Sequence, residues 1–484
     1  MVMTDQHRAD FSRRAGFAID TTPFLDKLAE SGAQFPVAYT AAPACVPART
    51  SLLTGRFPSA HRVTQNSNEY DAFFAHDLLD VLRAADYRTI FAGKPHMYRR
   101  AEDFDSYSGP YFHTEGPERT ALDAEFDAWL DALDHGVSQR ATPFPLEQQL
   151  PHRIVTDAID AVNEARDERP VFLWVSFPEP HNPYQVPEPY FSMFSPDEMP
   201  QRVNGPEAAE SKGGQWAWLR ELEESKRPGY DDEWRRYRAN YCGALRMLDD
   251  QVRRLMTQLE AVLEGETLVV FVSDHGDFVG EYGLQRKGVG MPECLMRIPL
   301  FFYWPGQIPA QEHKELASIV DVLPTLCELI GQDIPAGVQG RSLAPLFGGL
   351  SAPDGVFSTI YAERGFGGEE YGRAERPPLH FPYEGRTFDE LNSVTQSGRS
   401  AMVRHGSHKL IAHNSGRVEL YDLDADPTET RDLSEEPDSR DRRAQLTAEL
   451  LHWTLRVQDD LPRGRYTVKT TEHNWTRIGH PTED

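Results

Sequence analysis

Short β-rich runs alternate with amphipathic segments along most of the chain, a pattern that predicts a mainly parallel sheet covered by helices on both faces. "TTPFLDKLAESG" reads as a helix: Thr22 suits its cap, Pro23 its first turn and Gly32 its stop, and Phe24, Leu25 and Leu28 share one face. "HDLLDVLRAADY" predicts a second helix and "RTIFAG" the strand after it, and "LPHRIVTDAIDAVNEA" leads likewise into the apolar strand "PVFLWVSF". The longest helical pattern, "WRRYRANYCGALRMLDDQVRRLMTQLEAVL", feeds "ETLVVFVSDHGD", a β-branched run that ends in polar groups, and "RIPLFFYW" is one more strand. Near residue 350, at "LFGGLSAPDG", the pattern weakens. Beyond it come short antiparallel strands joined by turns, a helix over about 440–458 and a polar tail from 461. The expected fold is α/β, a mixed, mostly parallel central sheet sandwiched by helices, with a smaller C-terminal α+β subdomain. The expected units are a catalytic domain at 1–350 and a subdomain at 351–484.

Composition narrows the function without naming it. The 484 residues suffice for a large buried core. A net charge of −26 argues against nucleic acid or an anionic membrane as partner, although a local basic pocket can still hold a small anion. No apolar stretch is long enough to span a bilayer. As written, the chain carries no export signal, so the expected compartment is cytoplasmic, or secreted or periplasmic if an N-terminal segment is missing. The 4 cysteines make no disulfide framework, and Cys242, Cys294 and Cys327 sit in apolar patterns that predict packing.

Cys45 differs. It opens Cys45-Val46-Pro47-Ala48-Arg49, followed by Thr54-Gly55-Arg56, and a chain of this composition would contain about 0.03 such C-x-P-x-R matches by chance. Pro47 suits the first helical position and Gly55 the stop, so Cys45 is expected just before a helix N-terminus, where backbone N–H groups favour an anion. Asp5 and Gln6 follow a short first strand, and Asp274 and His275 end another. Strand C-termini are where open α/β sheets bind ligands, and such oxygen donors suit a hard divalent cation.

Along nearly its whole length the chain resembles the formylglycine-dependent (type I) sulfatases of the alkaline phosphatase superfamily. The resemblance implies that Cys45 is oxidised to formylglycine by a formylglycine-generating enzyme, with Arg49 holding its hydroxyls. It implies one divalent metal ion on Asp5, Gln6, the modified Cys45, Asp274 and His275: calcium first, manganese or magnesium as alternatives. Many sulfatases carry Asp-Asp where this chain has Asp5-Gln6, and often Asn where it has His275. That departure points toward the choline sulfatase and phosphonate monoester hydrolase branch. "FAGKPHM" matches the family's G-K-x-H with Lys94 and His96, "FPEPHNPY" its P-H-x-P with His181, and "EYGLQRKGVG" supplies Lys287 after a GxxGL segment. Sulfate transfer builds charge on oxygens, which preorganised cations stabilise, and a nearby Lys or His can protonate the leaving oxygen. Lys94, His181, Lys287 and Asn66 are the expected substrate contacts. Arg99, Arg100 and His113 are candidates for the pocket mouth. The aromatic loop containing Trp216 and Trp218 is a candidate sugar platform, with packing as its other reading. "VELYDLDADPTETRDL" resembles a sulfatase C-terminal motif of structural character.

The expected activity is hydrolysis of a sulfate ester, small or saccharide. Two alternatives stand beside it: a phosphonate monoester or phosphodiester hydrolase using the same site, and a non-catalytic, metal-stabilised binding protein on the same fold. A homo-oligomer is among the expected assemblies, with subunit packing or fraying open to the tail.

Overall fold

The computed structural model describes the chain apart from residues 112–119, 166–167, 264–266, 372–381, 384–385, 388–395, 459–469 and 477–484, which leaves His113 outside the described residues. Its central sheet has eight strands: β1 Val2–Thr4, β2 Ala33–Gln34, β3 Arg88–Gly93, β4 Ser106–Ser108, β5 Val171–Ser176, β6 Val269–Ser273, β7 Leu300–Tyr303 and β8 Gln311–Glu312. They lie in the order β8-β2-β7-β6-β1-β5-β3-β4. The five from β6 to β4 run parallel, whereas β7 runs antiparallel to both β6 and β2. The sheet is therefore mixed and mostly parallel, as the pattern predicts.

Strand alternation sends successive side chains to opposite faces. Met3, Phe91, Trp174, Val270 and Val272 pack on one face with α2 (Cys45–Thr54), α3 (Leu78–Ala84) and the helix Val322–Leu329. Val2, Ile90, Val175 and Phe271 pack on the other against α1 (Pro23–Glu30), Leu150–Glu164 and the long helix Trp234–Leu263. Thr22 makes no side-chain cap bond to the helix Pro23–Glu30. The buried carboxylate of Asp249 on the long helix instead accepts from Phe24 and Leu25 N–H, so the cap comes from across the fold.

The antiparallel C-terminal strands are Thr359–Gly367, Gly398–His405, His408–His413 and Val418–Asp422, followed by the helix Arg440–Val457. Their apolar residues Tyr361, Val403, Leu410 and Trp453 join the same core cluster as Leu323 and Phe57, so the hydrophobic interior is continuous across residue 350. The described part of the tail packs on its own chain: Trp475 donates its indole N–H to Ser342 O at 2.7 Å. Trp216 and Trp218 are buried, 5% and 4% exposed, which fits the packing reading. Among the described residues, no helix is long and apolar enough to cross a membrane.

Candidate active site

Four neighbouring parallel strands deliver the site. Asp5 leaves β1, Asp274 leaves β6, Lys94 and His96 leave β3, and the turn carrying His181 leaves β5. The sheet's ladder extends one residue further through Asp274 N–H to Thr4 O at 3.3 Å, which fixes the two aspartates side by side. Cys45 arrives on α2. It is the first residue of that helix rather than the one before it, so Pro47 falls at the third position, and Gly55 closes the helix in a left-handed conformation (φ 62°).

The carboxylates of Asp5 and Asp274, the Cys45 sulfur and a ring nitrogen of His275 all lie within 4.8 Å of one another, and all four residues are buried. Cys45 Sγ is 3.4 Å from His275 Nε2 and 3.7 Å from Asp5 Oδ1. His275 Nδ1 donates to Gly276 O at 2.8 Å, which turns Nε2 toward the cluster. Asp274 Oδ1 accepts from the N–H groups of Gln6 (3.1 Å) and His275 (2.8 Å), so its carboxylate cannot swing away.

Arg49, one helical turn after Cys45 on the same face, is buried and braces this set. Its guanidinium donates to Asp5 Oδ2 and Asp274 Oδ2, both at 3.1 Å, and to Ser176 Oγ (2.8 Å) and Lys94 O (3.1 Å). Lys94 Nζ donates to Asp5 Oδ2 at 2.6 Å, and Lys287 Nζ to Gln6 Oε1 at 2.6 Å. Burial alone would raise the Asp5 pKa, but Lys94, Arg49 and Lys287 hold it well below the usual carboxylate range. Burial and Asp5 would likewise raise the Cys45 thiol, yet Lys287, Lys94 and His275 draw it below its ordinary value. Burial, reinforced by Lys94, keeps both His96 and His181 neutral, well below the ordinary imidazole pKa.

The sequence-read residues Asp5, Gln6, Cys45, Arg49, Lys94, Asp274, His275 and Lys287 are joined here by direct contacts, and His96 and His181 lie within the field of Lys94 and Lys287. Asn66 is placed differently from a simple pocket residue. Its Oδ1 accepts from Val46 N–H at 3.1 Å, so it caps the helix that carries Cys45. Arg99 is held by Asp77 and Asp80, each at 2.7 Å, and the Arg100 guanidinium lies 4.7 Å from the Tyr70 ring centre. Gln6 (φ 65°) and His96 (φ 37°) both adopt left-handed backbone, a strain that tends to persist at functional sites.

Three groups of the site carry no motif signal. Ser176, the last residue of β5, links Arg49 to Lys94 O. Glu179, half-buried, lies beside Lys94 and Asp5, and burial of its carboxyl raises its pKa to about 8. Asp277 gathers Gln6, Tyr184 and Tyr237 around its carboxylate.

A sequence-family profile described as Sulfatase matches residues 1–332. An arylsulfatase of Clostridium perfringens (strain 13 / Type A) is 28% identical over 378 residues, covering 72% of this chain and 77% of the relative. A choline-sulfatase of Rhizobium meliloti (strain 1021) is 27% identical over 463 residues, covering 90% and 83%. Among solved structures, the phosphonate monoester hydrolase of Agrobacterium radiobacter superposes with a TM-score of 0.76 at 24% identity, covering 94% of this chain and 95% of that one, a likeness of fold.

Proposed function

The chain belongs to the sulfatase family, and on that premise we propose that it hydrolyses a sulfate ester with an oxygen nucleophile made from Cys45. It is a sulfuric ester hydrolase. The reading rests on one observation: four electron-pair donors converge within 4.8 Å at the strand ends, with Arg49, Lys94 and Lys287 packed around them.

Those donors fit a divalent cation. Asp5, Asp274 and His275 would hold it, together with an oxygen in place of the Cys45 sulfur; a hard ion such as calcium accepts such a set, as do manganese and magnesium. When bound, the ion supplies Lewis-acid polarisation of the sulfate oxygens. Formylglycine supplies, as its hydrate, an oxygen nucleophile and a second hydroxyl that a thiol lacks. Asn66 steadies the helix end on which this residue sits.

The chain's own groups then divide the work. Arg49 fixes the spacing of the two aspartates, and Asp274 orients the attacking hydroxyl. Lys94 and Lys287 present ammonium groups to the sulfuryl oxygens as charge builds there. His96, held neutral, is able to accept a proton from the second hydroxyl. Of the two candidates for protonating the leaving oxygen, Lys287 carries the proton at rest. Burial opposes its charge; the unmodified Cys45 raises its pKa, and Asp5 and Asp274 raise it too and remain once Cys45 is formylglycine, whereas His181 is neutral and spends its Nδ1–H on Asn182 O at 2.7 Å.

Mass spectrometry of the peptide 36–56, from protein made beside a formylglycine-generating enzyme, tests this directly. Formylglycine at Cys45 is expected; thiol alone, in a protein that turns over sulfate esters, would overturn the nucleophile. A second reading, a phosphonate monoester hydrolase, is favoured by Gln6 and His275 in place of the commoner Asp and Asn. Rates on matched aryl sulfate and aryl phosphonate esters decide between the two. A protein that turns over neither, and whose melting temperature ignores divalent metal, would be the non-catalytic binder.

A further inference from the structure

Asp277 is fully buried and accepts five hydrogen bonds. Its Oδ2 takes Gln6 Nε2 and Tyr184 OH, each at 2.6 Å. Its Oδ1 takes Tyr237 OH and the N–H groups of Val279 (2.8 Å) and Arg286 (3.0 Å). On the other side of the same amide, Lys287 Nζ lies 2.6 Å from Gln6 Oε1. A third tyrosine, Tyr241, grips the backbone by donating to Gln6 O at 2.6 Å and accepting from Arg8 N–H at 2.9 Å.

An ammonium group only donates and an ionised carboxylate only accepts, so a side chain between them has to offer one acceptor and one donor. A glutamine amide does so in one of its two flips. We infer that Asp277, supported by Tyr184 and Tyr237, is a positioning residue that fixes the Gln6 amide with its oxygen toward Lys287 and the cation cradle and its nitrogen away from them. The inference rests on the sulfatase reading for what the fixed oxygen serves, not for the bond itself. A glutamate at position 6, with the same reach as Gln6, would face the Asp277 carboxylate across one hydrogen bond's distance, whereas the amide bridges Asp277 and Lys287 without that repulsion.

The test is a charge exchange across that bond. Gln6→Glu places two carboxylates together and Asp277→Asn removes the fixed acceptor, whereas the double variant restores one donor and one acceptor with the roles reversed. Each single variant is expected to lower the metal-free melting temperature by about 5 °C or more, and the double variant to recover at least half of that loss. On an aryl sulfate, each single variant is expected to lose about a hundredfold in kcat with KM altered less than about threefold, and the double variant to regain about tenfold. Losses that simply add, in melting temperature and in kcat, overturn the inference, as does Asp277→Asn behaving as wild type. If Gln6→Glu fails to fold, Tyr184→Phe with Tyr237→Phe keeps both rings and removes two donors. The rise in melting temperature on adding calcium or manganese chloride should then shrink to about half, and an unchanged rise overturns the proposal. Wild-type protein with no turnover on any sulfate ester would sink the functional reading, while the metal-free melting temperatures would still decide the pairing of Gln6 with Asp277.

Discussion

Two buried clusters of charge, one around Cys45 and one beneath the C-terminal sheet, are built from the same residue types and do opposite things. In the second, Lys409 Nζ meets Met291 O (2.7 Å), Glu293 Oε1 (2.9 Å) and Glu429 Oε1 (2.9 Å). Glu429 also accepts Glu293 N–H at 2.7 Å, while Arg404 donates to Tyr39 OH at 3.0 Å and pairs with Glu293 Oε2 at 3.4 Å. Each charge there touches its opposite, and the cluster joins the C-terminal strands to the segment just after Lys287. Around Cys45, the cations sit outside and four electron-pair donors face inward toward one another. Burial and charge are shared by both clusters, so neither marks a site; the convergence of lone-pair donors on one another does.

The comparison breaks first at Cys45. Cys45→Ala should cost at least about a thousandfold in kcat on an aryl sulfate, the scale of losing a nucleophile, while the melting temperature moves by only a few degrees. Lys409→Met should do the reverse. Removing Lys409 leaves Glu429 buried without its cation and Glu293 with Arg404 alone, a loss of about 3–5 kcal/mol, with turnover per folded molecule within about threefold of wild type. Denaturant midpoints and active-site-titrated rates separate the two effects. A Lys409→Met protein with an unchanged midpoint and little activity would show that the second cluster belongs to the chemistry.

What the sequence disclosed about these clusters follows from how local each signal is. The C-x-P-x-R segment, Asp5 and the Asp274-His275 pair each end or begin a regular element whose apolar pattern is readable, so their arrival at one sheet edge follows from the parallel order of the strands. The antiparallel β7 was not legible, because an apolar run states burial without stating direction. Nor was the cap of the helix Pro23–Glu30, where a distant Asp249 outcompetes the adjacent Thr22. Asp277 was visible only as the last letter of "VSDHGD", since its meaning depends on Tyr184 and Tyr237, which come from a loop and a helix remote in the chain.

Metal exchange sharpens the contrast by a smaller amount. With the cation chelated, the donors around Cys45 face one another with only flanking cations, Arg49 and Lys94 among them, as counter-charges, so EDTA should lower the melting temperature. Calcium, manganese or magnesium at about a hundred times its Kd should restore about 2.7 kcal/mol of stability. Lys409→Met protein should show the same increment, since its lesion lies in the other cluster. Scanning calorimetry with and without metal on both proteins checks this; an increment lost in Lys409→Met would couple the clusters.

The smallest expected effect concerns imidazoles, which also divide by surroundings. Burial alone would lower His275, but Asp274 raises it above the ordinary value, whereas His61, within the core beside α2, is pushed down to about 3 by burial and by Arg56. The bonds of His61 agree with a neutral ring: Nδ1 accepts Val63 N–H at 3.1 Å, which leaves Nε2–H to donate to Ser51 Oγ at 2.9 Å. The unfolded chain binds a proton at this residue below about pH 6.5 and the folded one does not until about pH 3. Stability from this group is therefore complete above pH 6.5 and declines as pH falls toward 3, by about 1.4 kcal/mol per unit once well inside that window. His61→Asn keeps an acceptor for Val63 N–H and does not titrate. Its urea midpoint, although lower at pH 7, should fall less steeply than that of wild type between pH 6 and pH 4; parallel curves would mean that His61 takes up its proton in the folded protein with no difficulty, and that burial there is less complete than its bonds require.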